Sequence, residues 1–187
     1  RVRSSAASDV YKRQSLSNRT ICTYSLKKRL TLLGLIQRVN SASISIDKSI
    51  VSSIDKGLLL FLAVQKNDSN EQASKLLDKI LNYRIFPDQD GRMNKSLMTI
   101  QADLLVVSQF TLAASTAKGL RPSFSSAAKP DEAKKTYDYF LSLCDHMYPK
   151  YKSGVFGADM QISLINDGPV TFMPVSYTHL TLPTILR

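Results

Sequence analysis

The sequence predicts one α/β domain with its helices packed on one side of the strands, and three observations predict it. A continuous apolar run, Leu58 to Val64, has the composition of a strand buried on both faces, and Asp103 to Leu112 is a second strongly apolar strand that ends in polar residues. Two segments, Glu71 to Tyr83 and Pro130 to about His146, repeat apolar residues at helical spacing. Near the C-terminus an alternating run, Gln161 to Ile165, stops at Asn166-Asp167-Gly168-Pro169 and resumes at Val170-Thr171. A chain of 187 residues suits one domain with a substantial core.

Taken in order, Leu35 to Asn40 and Ala42 to Asp47 read as two short strands joined by a tight connection, with Ile44 and Ile46 alternating against serines. The first of the two apolar strands follows at Leu58. Ser69 is placed to cap the first helix, whose apolar positions are Ala73, Leu76, Leu77, Ile80 and Leu81. Pro87 to Gly91 is a polar turn. The strand from Asp103 carries Ser108, Gln109, Phe110 and Thr111 at its polar end, and alternation sets Ser108 and Phe110 on one face, Gln109 and Thr111 on the other. Ala113 to Ala128 is loop-like. Pro130, with Asp131 and Glu132 behind it, opens the second helix, which buries Ala133, Tyr137, Phe140, Leu141 and Cys144.

Both ends stand apart from this pattern. Residues 1–32 carry eight Lys/Arg and one acid and show no apolar periodicity. A transit peptide has such a composition. Residues 1–14 and 175–187 also resemble translated adapter sequence, so the expected division is an N-terminal extension at 1–32, a domain at 33–174 and an adapter-derived end at 175–187. The first methionine is Met93.

Charge and residue supply exclude several functions. The formal charge of +10 sits mostly in the N-terminal extension; residues 33–174 hold 16 basic and 14 acidic residues. A net of +2 does not make the broad basic surface of a protein that neutralises many phosphates. Two cysteines far apart, Cys22 and Cys144, and two histidines, His146 and His179, offer neither a disulfide framework nor a transition-metal site, and fit a reducing compartment. We expect no metal and no cofactor, and no apolar run is long enough to cross a bilayer. Asp145-His146 are neighbours on a helix and do not face each other, so they make no preformed relay; His146 reads as a helix-terminal cation. No glycine-rich nucleotide motif is present.

Two further features carry two readings each. Ser108-Gln109-Phe110-Thr111 is either a plain strand end or a cleft wall, since α/β proteins place sites at strand ends. Arg38 is a lone charge among apolar neighbours: an outward surface residue, or a guanidinium whose fork of donors holds main-chain carbonyls.

Seven segments, in order, resemble the D-aminoacyl-tRNA deacylase family: Leu35-Ile-Gln-Arg-Val39, Arg84-Ile-Phe86, Gly91 to Leu97, Ser108 to Leu112, Arg121-Pro-Ser-Phe124, Phe156 to Met160 and Asn166 to Thr171. They cover about 33 to 174 and exclude both ends. The resemblance implies a three-layer α/β/β domain with a mixed sheet. It implies a cytoplasmic homodimer that takes the 3′-adenosine end of aminoacyl-tRNA at interface sites. Ser108, Gln109, Phe110 and Thr111 would form one wall. Gly168 and Pro169, expected as a cis pair held by Arg38, would reach into the partner's site as a chirality gate. Met160 would pack against the terminal adenosine. Leu120 departs from the pattern, where a basic residue is expected before Arg121.

The implied reaction is hydrolysis of D-aminoacyl esters, and of glycine mischarged on tRNA(Ala), with L-aminoacyl esters rejected. An ester is already activated, so rejection is the harder task. A rigid main-chain element that blocks the L side-chain direction discriminates sterically, and glycine, lacking a side chain, passes. Water would attack with help from the adenosine 2′-hydroxyl, while Phe110 and Thr111 N–H groups steady the oxyanion. Alternatives are a Thr111 nucleophile, a related deacylase with a trans Gly-Pro pair, and a non-catalytic nucleic-acid-binding regulator using the basic N-terminal extension.

Overall fold

The computed structural model describes residues 32–117 and 119–174. Expectations for residues 1–31 and 175–187, Cys22 and His179 among them, lie outside the described residues. Among the described residues there are eight strands: β1 (Leu33–Ile46), β2 (Ser49–Ile54), β3 (Gly57–Ala63), β4 (Phe86–Pro87), β5 (Met93–Lys95), β6 (Asp103–Ser108), β7 (Tyr151–Ser153) and β8 (Gln161–Phe172). The helices described with them are α1 (Asn70–Asn82), α2 (Leu97–Ile100) and α3 (Pro130–Met147). A 3-10 turn covers Phe110–Ala113.

The main sheet runs β2-β1-β3-β6-β7, with β8 paired to β1. It is mixed: β3 and β6 are parallel, as are β6 and β7, while β1 is antiparallel to β2, β3 and β8. Its two ends approach each other, since Lys152 Nζ of β7 donates a 2.5 Å hydrogen bond to the Ser53 carbonyl of β2. β4 and β5 form a separate two-stranded piece.

Alternation along β3 and β6 accounts for the layers. Leu58, Leu60, Leu62, Leu104 and Val106 face the helices and pack with Leu76, Leu77, Ile80, Tyr137 and Phe140. Leu59, Leu105 and Val107 face the other way, into a second cluster with Val39, Ala42, Ile44 and Ile54. A strand buried on both faces has no polar side to show, which is why Leu58 to Val64 and Leu104 to Val107 read as continuous apolar stretches. Helices on one side and strands on the other make the three-layer α/β/β domain that the sequence implies.

The two short strands expected between Leu35 and Asp47 are one strand of fourteen residues. Ile36 and Arg38 face the helix layer, whereas Ala42 and Ile44, of the same parity, face the second cluster. A register shift between Val39 and Ser41 produces that switch. The break in alternation is a bulge, and the backbone ladder continues through it.

The first helix is as expected: Ser69 Oγ accepts the Gln72 N–H while the Gln72 side chain accepts the Ser69 N–H, a capping box. Pro130 is the first residue of α3, with Asp131 and Glu132 in its first turn and His146 in its last. Tyr137, Phe140 and Cys144 are buried and Ala133 and Leu141 partly so. The strand expected to run to Leu112 stops at Ser108, because Gln109 turns into the 3-10 segment. Gln109 N–H still reaches the Leu62 carbonyl (2.7 Å), so the turn starts where the β3–β6 ladder ends.

Candidate active site

At the C-terminal ends of β3 and β6 a cavity of about 480 Å³ opens between the sheet, the start of α3 and the segment before β8. Ser108, Gln109 and Phe110 line one side and Met160, with Phe156 to Asp159, lines the other. This is where parallel strands leave unpaired ends beneath a helix N-terminus, the usual place for a site in such sheets. Because the chain turns at Gln109, the two-face alternation expected for Ser108 to Thr111 does not apply. Ser108, Gln109 and Phe110 all line the cavity, and Thr111 does not.

The 3-10 turn defines what this wall presents. Its first intraturn bond is Leu112 N–H to the Gln109 carbonyl (3.2 Å). The N–H groups of Phe110 and Thr111 precede that bond and stand outside the turn's own ladder. Gln109 Nε2 donates a short hydrogen bond to Thr111 Oγ1, which fixes both side chains against the turn. The Phe110 ring is 62% exposed and packs at a tilt against Phe124, from the Arg121-Pro-Ser-Phe segment, with centroids 5.3 Å apart. Leu120, beside Arg121, is fully exposed.

Met160 packs against a glycine. A Cβ on Gly154 would lie 2.6 Å from Met160 Sδ and 3.2 Å from Ile44 Cδ1, so the glycine leaves the thioether the room it occupies. The sequence reading missed Tyr137, Ala133 and Pro130 as cavity residues; helical spacing assigned the first two to the core. Tyr137 belongs to both, with its ring against Phe156 at 5.6 Å and its hydroxyl on Val106. Pro130 at the helix start, opposite a strand end, was the available signal. Cys144 is buried in the helix layer, and burial, followed by the charge of Asp145, pushes its thiol up to about 12.

Arg38, Gly168 and Pro169 form a second group that does not line this cavity. β8 pairs with β1 on either side of this stretch, at Val39↔Asn166 and at Gln37↔Thr171. Between those pairs β1 has one residue, Arg38, and β8 has four, Asp167 to Val170. The strand continues past the Asn-Asp-Gly-Pro stretch by looping it out over the arginine. Proline, with no N–H to give a ladder, is tolerated in such a bulge. Asn166 closes the loop: its Oδ1 accepts Val170 N–H (2.9 Å), and its Nδ2 reaches Thr171 Oγ1 (3.3 Å).

The expected cis Gly168–Pro169 bond is not found; among the described residues every peptide bond is trans. An X-Pro bond favours trans by roughly 0.5–1 kcal/mol. Here the reversal is made by Gly168 at φ +119°, a conformation that side chains disfavour, together with the Asn166 clasp. Arg38 is not an outward surface residue. It is 8% exposed, donates from Nη1 to the Ile85 carbonyl (2.5 Å) and lies under the loop.

A mixed three-layer domain with a strand-end cavity and a looped-out Gly-Pro stretch defines the class, and comparison with known proteins gives the family. The sequence model described as D-Tyr-tRNA(Tyr) deacylase matches residues 35–174. The chain is 56% identical to a D-aminoacyl-tRNA deacylase of Cellvibrio japonicus over 142 residues, 76% of this chain and 97% of the relative. One from Shewanella frigidimarina is 52% identical, covering 75% and 97%. Among solved structures, the "c-Myc DNA Unwinding Element Binding Protein" superposes with a TM-score of 0.73 at 37% identity, over 77% of this chain and 98% of that one. A "probable eukaryotic D-amino acid tRNA deacylase" gives 0.68 at 17% identity over 79% and 100%, a likeness of fold alone. The chain belongs to the D-Tyr-tRNA(Tyr) deacylase family and is a hydrolase of that class.

Proposed function

We propose that the chain hydrolyses the ester of D-aminoacyl-tRNA, releasing the D-amino acid and tRNA, and acts likewise on glycine mischarged on tRNA(Ala). The observation that carries this reading is the cavity at the end of β6, where Ser108, Gln109, Phe110 and Met160 converge. Its lining is neutral apart from Asp159, which suits a reaction run by main-chain donors rather than by a side-chain base. The N–H groups of Phe110 and Thr111 steady the oxyanion, and the adenosine 2′-hydroxyl assists the attacking water. The Phe110 ring and Met160 bracket the terminal adenosine.

Chiral selection falls to Gly168–Pro169. Its trans bond is the feature expected of a related deacylase with altered stereochemical preference, while the buried Arg38 favours the D-specific form. The D/L comparison below separates these readings. On its own chain that pair lies apart from the cavity, which supports a homodimer in which each subunit's loop closes its partner's site. The working compartment is the cytoplasm, where charged tRNA is found. The test is release of D-tyrosine and L-tyrosine from charged tRNA by the full chain. Fast D and slow L release is expected; equal rates, or none, overturn the reading.

Thr111 serves as structure rather than nucleophile. Its Oγ1 accepts the Gln109 amide, which withdraws electron density instead of activating the hydroxyl. The 37% identical relative named for binding a DNA element keeps a nucleic-acid-binding regulator as the second reading. Removing residues 1–32 separates them: surviving deacylation with lost nucleic-acid affinity assigns binding to the extension alone.

A further inference from the structure

Arg38 is the one buried charged side chain among the described residues, and its surroundings are uneven. Nη1 has the Ile85 carbonyl at 2.5 Å. Nη2 lies under Gly168, where an added Cβ would come within 2.9 Å of it. Nε lies 2.9 Å from Asp167 Oδ2, an ion-pair contact, yet the angle is too poor for a hydrogen bond, so Nε is buried without an acceptor. The pair holds by distance rather than by alignment, because Coulomb attraction between two charges does not depend on the donor angle. A buried cation needs a counter-charge, and losing one leaves it uncompensated.

We propose that Asp167 is a specificity-determining positioning residue, whose carboxylate draws Arg38 beneath the Asp167–Val170 loop and so sets the height of Gly168–Pro169. This rests on the reading of Gly168–Pro169 as the chirality gate. The loop is fastened at one end by Asn166 on Val170 N–H, and at the other by Asp167 on a guanidinium anchored to Ile85. Gly168 has no register partner on β1, so these two fastenings flank it on the loop. Steric exclusion is steep in distance, so a small lift of the gate admits the L side chain while the reacting atoms, at the strand-end cavity, are unaffected.

Asp167→Asn keeps the shape and removes the charge. In the 187-residue chain, the ratio of kcat/KM for D-tyrosyl-tRNA over L-tyrosyl-tRNA is expected to fall by about tenfold or more, the scale on which one methylene of steric exclusion acts. The D rate itself should change less than about threefold. Equal losses in both rates, or an unchanged ratio, overturn the proposal. Amide hydrogen exchange reads the same clamp without substrate. Gly168 and Val170 should exchange faster in the variant, while Ile162 to Ile165 of the same strand keep wild-type protection. Unchanged exchange at Gly168 and Val170 overturns the proposal by itself. Should the wild type fail to release D-tyrosine, the functional reading falls, and exchange still decides whether Asp167 holds the loop.

Discussion

Tyr137 Oη donates a 3.2 Å hydrogen bond to the Val106 carbonyl, the same oxygen that accepts Gly154 N–H at 2.9 Å. One atom of β6 thus ties the long helix to the segment that carries Met160, across the floor of the cavity. Tyr137→Phe removes the hydroxyl but leaves Val106 with its backbone donor. Stability should fall by about 0.5–1.5 kcal/mol, the usual net worth of such a bond. A urea titration measures it, and D-tyrosine release should be retained.

Alkaline pH should unfold the domain earlier than its charge balance suggests. Burial raises Cys144, and burial with the hydrogen bond to Asp145 raises Tyr151, each to about 12. Unfolded, the thiol and the phenol titrate near roughly 8.5 and 10. Above those values the unfolded chain sheds protons that the folded chain keeps, so stability falls with rising pH. It is complete below about pH 8.5 and declines towards 12. Urea midpoints at stepped pH values check this, and Cys144→Ser should remove the part that begins near the thiol value.

Gly57 opens the parallel ladder at Gly57↔Asp103, and an added Cβ would lie 2.0 Å from the Asp103 carbonyl oxygen. That contact is with backbone and cannot be relieved by turning a side chain. Gly57→Ala should therefore force β3 and β6 apart at a cost of about 1–3 kcal/mol or more. The expected signature is a lower urea midpoint with an unchanged slope.

Gly168→Ala tests the gate directly. The residue would be held at φ +119° and crowd both Arg38 Nη2 and Val170 Cγ2 at 2.9 Å. Strain of this kind costs on the order of 1–3 kcal/mol. If the loop gates the site, D-tyrosine release should drop far more than thermal stability does, because Gly168 and Pro169 are themselves exposed. A proportionate loss of both would count against a gating role.

Much of this domain was legible from periodicity alone. Leu58 to Val64 and the helix behind Ser69 follow local rules, and local rules held. Ser49 to Ile54 and Tyr151 to Ser153 were missed because short, partly exposed strands take their conformation from neighbours such as Ala42 and Leu104 rather than from their own pattern. The bulge after Val39 broke alternation and so resembled a loop. At the site, Ser108 to Phe110 and Met160 could be singled out as chemistry-bearing, but their common cavity depends on a 3-10 turn at Phe110 that no periodicity announces. Arg38 was visible as an oddity, whereas its partner Asp167 was not, since a carboxylate before Gly-Pro has an ordinary place in a turn.

β1 is bordered by β3 along its first half, by β2 along its second, and by β8 along much of its length. The strand that seats the hydrophobic layers is therefore also the ledge on which the Gly-Pro loop rests. Its length is a shared ruler: deleting one residue before Val39 would turn Arg38 away from Ile85 and leave the loop over an apolar side chain. On the proposed reading of that loop as a chirality gate, drift in this strand is constrained twice, once by folding and once by the telling apart of mirror-image amino acids. A substitution there that is silent in a melting curve should then still be audible in the ratio of D- to L-tyrosine release.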